Sequence, residues 1–115
     1  MRSYVASPQR YANFIAYSPS REAIGLAEVS VRSDYVNGTQ SSPVAFLEGL
    51  YVVPQSRRKG VARALVAVAG EWGRRAGCSE LASDAVLENS LSHVVHRALG
   101  FEETERVVYF RRKLA

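Results

Sequence analysis

The sequence predicts an α/β domain, of the α+β kind, built around a mixed but mainly antiparallel sheet with helices on both faces. Three runs of β-forming residues come first, separated by turn signals, and strands joined in this way pair antiparallel. Two amphipathic helical runs follow with a short strand between them, and a strand reached through a helix pairs parallel. At 115 residues the chain is expected to form one domain.

The first two strands are bounded by residues that favour turns. Tyr11 to Tyr17 carries aromatic and β-branched side chains, and Ser18-Pro19-Ser20 ends it. Ile24 to Tyr35 is the second and longer run. The Asn37-Gly38 pair that follows is a strong hairpin signal, so the third strand is expected to fold back beside the second.

The third strand, Val44 to Val53, is apolar apart from Glu48 and Gly49. An apolar run of this length predicts a central strand that is buried on both faces. The glutamate and glycine in its middle are typical of a bulge, which would free main-chain groups from the neighbouring strand. The alternative is a simple edge strand or a bent strand.

The second half of the chain alternates helix and strand. Helical spacing of apolar residues predicts a helix that begins near Val61, and Glu80 to Ala85 follows as a short strand. A second helix is expected from Asn89 to Leu99, ended by Gly100, and a last strand over Val107 to Phe110. The apolar stripe of the first helix consists of Val61, Leu65, Val66, Ala69 and Trp72.

Composition excludes several classes of protein. Hydrophobic residues make up 47% of the chain and charged residues 23%, an ordinary balance for a globular protein. There is no apolar run of about 18 residues and no charged-then-apolar leader, so neither a membrane span nor a secretory signal is expected, and the expected location is cytoplasmic. A single cysteine, Cys78, excludes an internal disulfide, and no zinc-ligand spacing is present, so no metal is expected.

The turn between the third strand and the first helix is strongly basic. It reads Arg57-Arg58-Lys59-Gly60-Val61-Ala62. A helix start presents free backbone N–H groups and the positive end of the helix dipole, and three cationic side chains add to that charge. Gly60 and Ala62 leave room for a bulky anion. The turn therefore predicts a phosphate-binding site, but its spacing matches neither a nucleoside-triphosphate loop nor a dinucleotide fingerprint.

Pro54 and Arg57-x-x-Gly60-x-Ala62, placed between a strand and a helix, resemble the acetyl-CoA pyrophosphate loop of the GNAT superfamily of N-acetyltransferases. Asn89-x-x-Ser92 followed by Ala98-Leu99-Gly100-Phe101 resembles the second cofactor element of that superfamily. The resemblance implies a GNAT-like sheet and acetyl-CoA as co-substrate, with the strand before the loop pairing with the pantetheine arm. The cofactor-binding residues that it implies are Leu50, Tyr51, Val52, Val53, Arg57, Arg58, Lys59, Gly60, Val61, Ala62, Arg63 and Asn89.

Four further segments are similar to one branch of the superfamily, the aminoglycoside 6′-N-acetyltransferases. These enzymes transfer acetyl to a primary amine of a polycationic sugar antibiotic, so the resemblance implies a small polycationic amine as the acceptor and antibiotic resistance as the role. The segments are Asp34-Tyr35-Val36-Asn37-Gly38, Ser42-Pro43-Val44-Ala45-Phe46-Leu47-Glu48-Gly49, Ala82-Ser83-Asp84 and Val95-His96-Arg97-Ala98-Leu99-Gly100-Phe101-Glu102-Glu103-Thr104-Glu105-Arg106.

An ammonium must lose a proton before it attacks a thioester, so this reaction requires carboxylates near the acetyl group. Asp84, at the end of the short strand, is the first candidate for the base, and Glu48 is the second. Asp34 and Tyr35 are expected to line the sugar site together with these two acids. Many superfamily members have a tyrosine that protonates the leaving thiolate; this chain has His96 there, which either donates the proton or packs.

The expected mechanism is direct attack in a ternary complex. The amine and the thioester are held together, and a backbone N–H, that of Val52, polarises the carbonyl. No covalent enzyme intermediate is needed. Cys78 lies at a predicted helix–strand turn, far in sequence from the cofactor motifs, and is not expected to be a nucleophile.

Members of the superfamily usually begin with a strand and two helices ahead of the Tyr11 strand, and those helices wall the acceptor pocket. Met1 to Arg10 is expected to be at most the tail of the second helix, so the domain is expected to be N-terminally shortened. Two other functions stay open: a GNAT acting on a polyamine or peptide, and a non-catalytic acyl-CoA-binding module. Aromatic residues are not interleaved with the basic ones, so no nucleic-acid partner is expected. A homodimer is expected, by family resemblance and because so small a sheet has edges to cover.

Overall fold

The computed structural model describes residues 2–7, 10–34, 36, 38–84, 90–106, 108 and 110–114. The chain divides into two compact units, Met1–Asp84 and Ala85–Ala115. The elements are β1 (Arg2–Ser7), β2 (Tyr11–Tyr17), β3 (Ala23–Arg32), β4 (Val44–Val52), a 3₁₀ turn (Pro54–Ser56), α1 (Val61–Arg75), β5 (Leu81–Ala82) and α2 (Ser90–Ala98).

The first unit is built on a sheet whose described strands stand in the order β1-β2-β3-β4-β5. The first four pair antiparallel, and β5 pairs parallel with β4, with Ala45 opposite Leu81 and Phe46 opposite Ala82. Helix α1 makes the crossover between β4 and β5. The predicted mixed, mainly antiparallel sheet is therefore confirmed.

Helix α1 packs on one face of this sheet through the stripe that its sequence predicts. Leu65 and Ala69 are fully buried in that contact. Two glycines allow the close approach: a Cβ at Gly25 of β3 would lie 3.0 Å from Leu65, and a Cβ at Gly73 would lie 2.6 Å from the Cβ of Ala45 in β4. The helix is thus seated directly against the two central strands, and its first residue follows the basic turn.

The N-terminal segment differs from the expectation. Residues 2–7 form a strand, β1, and not the tail of a helix. The strand pairs with β2, with Tyr4 opposite Asn13 and Ser7 opposite Tyr11. The reason is that β2 would otherwise expose a row of unpaired main-chain groups, which an adjacent extended segment satisfies.

The predicted last strand is not found among the described residues. Those in the range 101–114 belong to no strand, while Val107 and Tyr109 lie outside the description. The side chains of Val108 and Phe110 are 72% and 91% exposed. A β-forming run needs a partner and a buried face before its propensity produces a strand, and the exposed side chains here bury too little surface.

The second unit contains α2 and its C-terminal cap. Gly100 has a φ of 90°, and the Phe101 N–H donates to the His96 carbonyl at 3.0 Å, so the glycine turns the chain back on the last helical turn as predicted. In the described residues, neither helix combines the length and the apolar character that a membrane span requires.

Candidate active site

Strand β4 contains the bulge that its sequence predicts. Against β3, Leu47 is opposite Val29 and Gly49 is opposite Glu28, so Glu48 is one extra residue without an opposite partner. On the other side of β4, the parallel pairing with β5 covers Ala45 and Phe46. From the bulge onward, no described strand pairs with that edge of β4. Strand β4 therefore stops pairing with β5 at the same place where its register against β3 shifts.

The open edge of β4 offers main-chain groups from alternate residues. The Val53 N–H donates to the Ile24 carbonyl of β3 at 2.9 Å. In an antiparallel ladder successive residues point their N–H and C=O groups to opposite sides, so those of Leu50 and Val52 face the open edge, and those of Tyr51 face β3. Of the four strand residues that the resemblance implies, Leu50 and Val52 are the two whose main-chain groups face the open edge.

Arg57 is turned back onto the end of the strand. Its Nε donates to the Val52 carbonyl at 2.8 Å, and its guanidinium lies 5.6 Å from the centre of the Tyr51 ring. The bond occupies one of the outward-facing main-chain groups of β4. Arg57 therefore holds the turn against the strand, while the exposed Arg58 and Lys59 present their charge to solvent.

The start of α1 has the features of an anion site. Gly60 is the N-cap with a φ of 83°, no side chain caps the helix, and its first turn has no acidic residue. The first N–H groups of a helix have no intrahelical partner, so Val61 and Ala62 present theirs at the same end as the basic turn. Arg58 also has a left-handed φ, of 64°. A Cβ at Gly60 would meet no protein atom within 4 Å, so within the chain itself the glycine is required for its left-handed backbone angle.

Glu48 is held by two residues of β3. Its Oε2 accepts hydrogen bonds from the Ser30 Oγ at 2.5 Å and from the Arg32 Nε at 3.2 Å. Arg32 Nη2 lies 2.8 Å from both carboxylate oxygens. The Glu48 side chain remains 36% exposed. The candidate second base is therefore an ion-paired carboxylate at the bulge.

Asp84 and Glu48 occupy equivalent positions on two neighbouring strands. Asp84 lies just beyond the end of β5, and Glu48 lies just beyond the part of β4 that pairs with β5. Ala82 is opposite Phe46 in the parallel pair, and each acid comes two residues later. Parallel strands run in the same direction, so both acids lie at the end of the sheet where the two strands separate. Asp84 is exposed, as is Asp34 just beyond β3. In the part of the chain that the structure describes, no group of three or more His, Cys, Asp or Glu side chains is arranged for a metal.

Three further sequence expectations fall elsewhere. Tyr35 and Asn89 lie outside the described residues. His96 belongs to the second unit, where its ring packs edge-on against Phe101 with centroids 5.3 Å apart, which fits the packing role. Cys78 is buried, and burial raises the pKa of its thiol. A thiol in this state is no activated nucleophile, in agreement with the expectation.

Glu80 is a residue that sequence reasoning missed. Its carboxylate accepts hydrogen bonds from the Ser41 hydroxyl and from the Gln40 N–H, and these donors lower the pKa of Glu80. Its own carbonyl accepts from the Ala45 N–H. Glu80 thus ties the β3–β4 connection to the entry of β5. No local pattern marks this role, because the partners lie about 40 residues away in sequence.

Comparisons with known proteins agree on one family. The model of the acetyltransferase (GNAT) family matches residues 3–101. An aminoglycoside N(6′)-acetyltransferase type 1 from Acinetobacter baumannii is 49% identical, with 99% of this chain and 77% of that protein covered. One from Stenotrophomonas maltophilia is 59% identical over 90% of this chain and 67% of that protein. A solved structure of AAC(6′)-Iy with the bisubstrate analog CoA-S-monomethyl-acetylneamine has a TM-score of 0.85 at 53% identity, covering 90% of this chain and 70% of that one.

Proposed function

This chain belongs to the acetyltransferase (GNAT) family, and from that premise we propose that it transfers acetyl from acetyl-CoA to the 6′-amine of an aminoglycoside, and so confers resistance to the antibiotic. The observation that carries the proposal is the continuous path from the β4 bulge, along an open strand edge, to an uncapped and basic helix start. Relatives about half identical in sequence carry that activity in their names.

The cofactor half of the site uses the strand edge and the helix start. The outward-facing N–H and C=O groups of Leu50 pair with amides of the pantetheine arm, while the outward-facing N–H of Val52 is kept for the thioester carbonyl, because the Val52 carbonyl already accepts from Arg57. The N–H groups of Val61 and Ala62, with Arg58 and Lys59 beside them, bind the pyrophosphate. Both elements bind without a large rearrangement, because Arg57 already holds the turn against β4.

The acceptor half uses the two acids where β4 and β5 separate. Asp84, exposed and beyond the end of β5, takes the proton from the 6′-ammonium, directly or through water. Glu48 binds the acceptor, and Asp34 adds a carboxylate near the β3–β4 connection. The free amine attacks the thioester carbonyl, whose developing negative charge is met by the Val52 N–H. The tetrahedral intermediate collapses with cleavage of the C–S bond, and CoA leaves as a thiolate that takes up the second proton lost by the amine.

We propose in addition that the protein works as a homodimer in the cytoplasm. A sheet with an edge strand such as β1 exposes main-chain groups that a second copy can cover. Light scattering on a sizing column measures this directly: one mass at twice that of the 12.7 kDa chain supports the dimer, and a monomeric mass at working concentration contradicts it.

The function is tested by calorimetry and by a thiol-release assay. Acetyl-CoA should bind with measurable heat, and free thiol should appear when an aminoglycoside with a 6′-amine is added. The matched control is the same aminoglycoside with a hydroxyl at 6′, which should release no thiol. Turnover on a polyamine or peptide, with none on any aminoglycoside, would show that the acceptor belongs to that other class of amine. Cofactor binding with no turnover on any amine would leave an acyl-CoA-binding module, and no binding at all would contradict every form of the proposal.

A further inference from the structure

Glu48 has an uneven set of contacts on its two carboxylate oxygens. Three donors meet Oε2: the Ser30 Oγ, the Arg32 Nε and the Arg32 Nη2. Oε1 meets one, the same Nη2. Ser30 is 3% exposed, so its hydroxyl is committed to this bond. Oε1 is therefore the oxygen that has lone-pair capacity left for another donor.

The bulge determines which residues of β3 Glu48 contacts. Without the extra residue, Glu48 would stand directly opposite Glu28, and like charges facing each other across a ladder are unfavourable. With it, Gly49 takes that position, and the Glu28 carboxylate lies over the glycine, 2.9 Å from where a Cβ would be. Glu48 is displaced along the strand and pairs instead with Ser30 and Arg32.

Arg32 is fixed from its other side. Its guanidinium lies 3.7 Å from the centre of the ring of Phe46, which is itself almost buried. A guanidinium stacked on a ring and forked onto a carboxylate loses little further freedom when a ligand arrives. Arg32 thus lies between the Phe46 ring and the Glu48 carboxylate and contacts both.

We propose that Ser30 and Arg32 are positioning residues that hold the Glu48 carboxylate as a fixed hydrogen-bond acceptor for the aminoglycoside. The inference rests on the proposed function and refines it. Proton transfer stays with Asp84, as in the proposed function. The contribution of Ser30 and Arg32 belongs to acceptor binding and passes through Glu48.

The test is a double-mutant cycle on acceptor affinity. Arg32→Ala and Glu48→Gln should each raise the aminoglycoside KM about tenfold or more, as expected for a lost charged hydrogen bond, with kcat and the acetyl-CoA Kd nearly unchanged. The double variant should be no worse than Glu48→Gln alone, because the effect of Arg32 requires the carboxylate. Ser30→Ala should raise the same KM by a smaller factor.

Conservative and matched variants separate positioning from folding. Arg32→Lys keeps a positive charge over Phe46 but loses the bidentate hydrogen bond to Glu48. Its KM should therefore lie between those of wild type and Arg32→Ala, and its stability in urea should equal that of wild type. Arg74→Ala removes an arginine from an exposed ion pair with Glu71 on α1 and should change neither KM nor kcat.

The cycle has outcomes that overturn the inference. Additive effects of Arg32→Ala and Glu48→Gln, or a loss of kcat in place of a rise in KM, would show that Arg32 does not act through a binding carboxylate. A rise in KM that tracks a loss of urea stability across the variants would make Ser30 and Arg32 structural. A wild-type protein inactive on every aminoglycoside overturns the proposed function as well, whereas an active wild type with an additive cycle overturns the positioning role alone.

Discussion

Replacing Gly73 by alanine should destabilise the protein, while the same change three residues earlier should stabilise it. Both glycines lie inside α1, and neither has a positive φ. A Cβ at Gly73 would lie 2.6 Å from the Cβ of Ala45, which is 1% exposed and has no rotamer to change. A Cβ at Gly70 would meet only a Leu81 methyl at 4.0 Å, an ordinary contact.

The magnitudes follow from these contacts. Alanine is favoured over glycine in a helix interior by about 1 kcal/mol, and Gly70→Ala should show that gain. At Gly73 the helix must retreat from β4 by about 1 Å to reach a normal carbon–carbon distance. Overpacking of this kind costs up to about 3 kcal/mol, so after the helix gain the net loss is up to about 2 kcal/mol.

Urea unfolding followed by circular dichroism, at one protein concentration, measures both variants against wild type. The midpoints should move in opposite directions with unchanged slopes, because the surface exposed on unfolding is nearly the same. A Gly73→Ala variant as stable as wild type, or more so, would refute the claim that α1 is seated against Ala45. A Gly70→Ala variant that is also destabilised would point to a defect of the whole helix and not to one contact.

The remaining predictions concern the site and its surroundings. Asp84→Asn should lower kcat about 100-fold or more with the acetyl-CoA Kd unchanged, and equal loss of both in kinetics and calorimetry would make Asp84 structural. Arg58→Ala and Arg58→Gly should each weaken acetyl-CoA binding about fivefold, less so in high salt. Only Arg58→Gly should raise the free energy of unfolding measured in urea, by about 1 kcal/mol, because the left-handed φ at this position is unfavourable for arginine and alanine but not for glycine; equal stability of the two variants would contradict this. The pKa of Glu80 is lowered in the folded state, so its stabilising contribution is present above the usual glutamate range and lost as pH falls through the lowered value. Glu80→Gln should therefore be less stable at neutral pH and lose less stability on acidification, and parallel stability–pH curves for variant and wild type would rule this out.

Much of the first unit is predictable from local patterns. Strand β2 begins and ends where expected because aromatic residues and a Ser-Pro-Ser turn mark it. The bulge at Glu48 was predicted because a polar residue and a glycine break an apolar run, and that signal is local to the strand. Strand β3 ends at Arg32, earlier than predicted, because the connection that follows makes its own turn, with the Thr39 N–H on the Val36 carbonyl.

The partners of Glu48 were not predictable in the same way. Ser30 and Arg32 are 18 and 16 residues away in sequence, and they reach the carboxylate only because the register shifts by one residue at the bulge. Hydrophobic patterns assign residues to a face of a sheet, but they do not resolve cross-strand pairing next to an irregularity. The predicted strand at Val107 to Phe110 was wrong for the described residues of that run, because β propensity does not supply a pairing partner.

The bulge of β4 also has a consequence for how such a protein can change over generations. Residues on either side of Glu48 are already aligned with consecutive residues of β3, since Leu47 is opposite Val29 and Gly49 is opposite Glu28. Deleting the single codon for Glu48 would therefore join Leu47 directly to Gly49 and leave the β3–β4 pairing on both sides in its present register. Most deletions inside a central strand invert every later side chain, but this one would leave an uninterrupted sheet. In one mutational step the lineage would keep a folded protein and lose the feature by which we propose it binds its substrates.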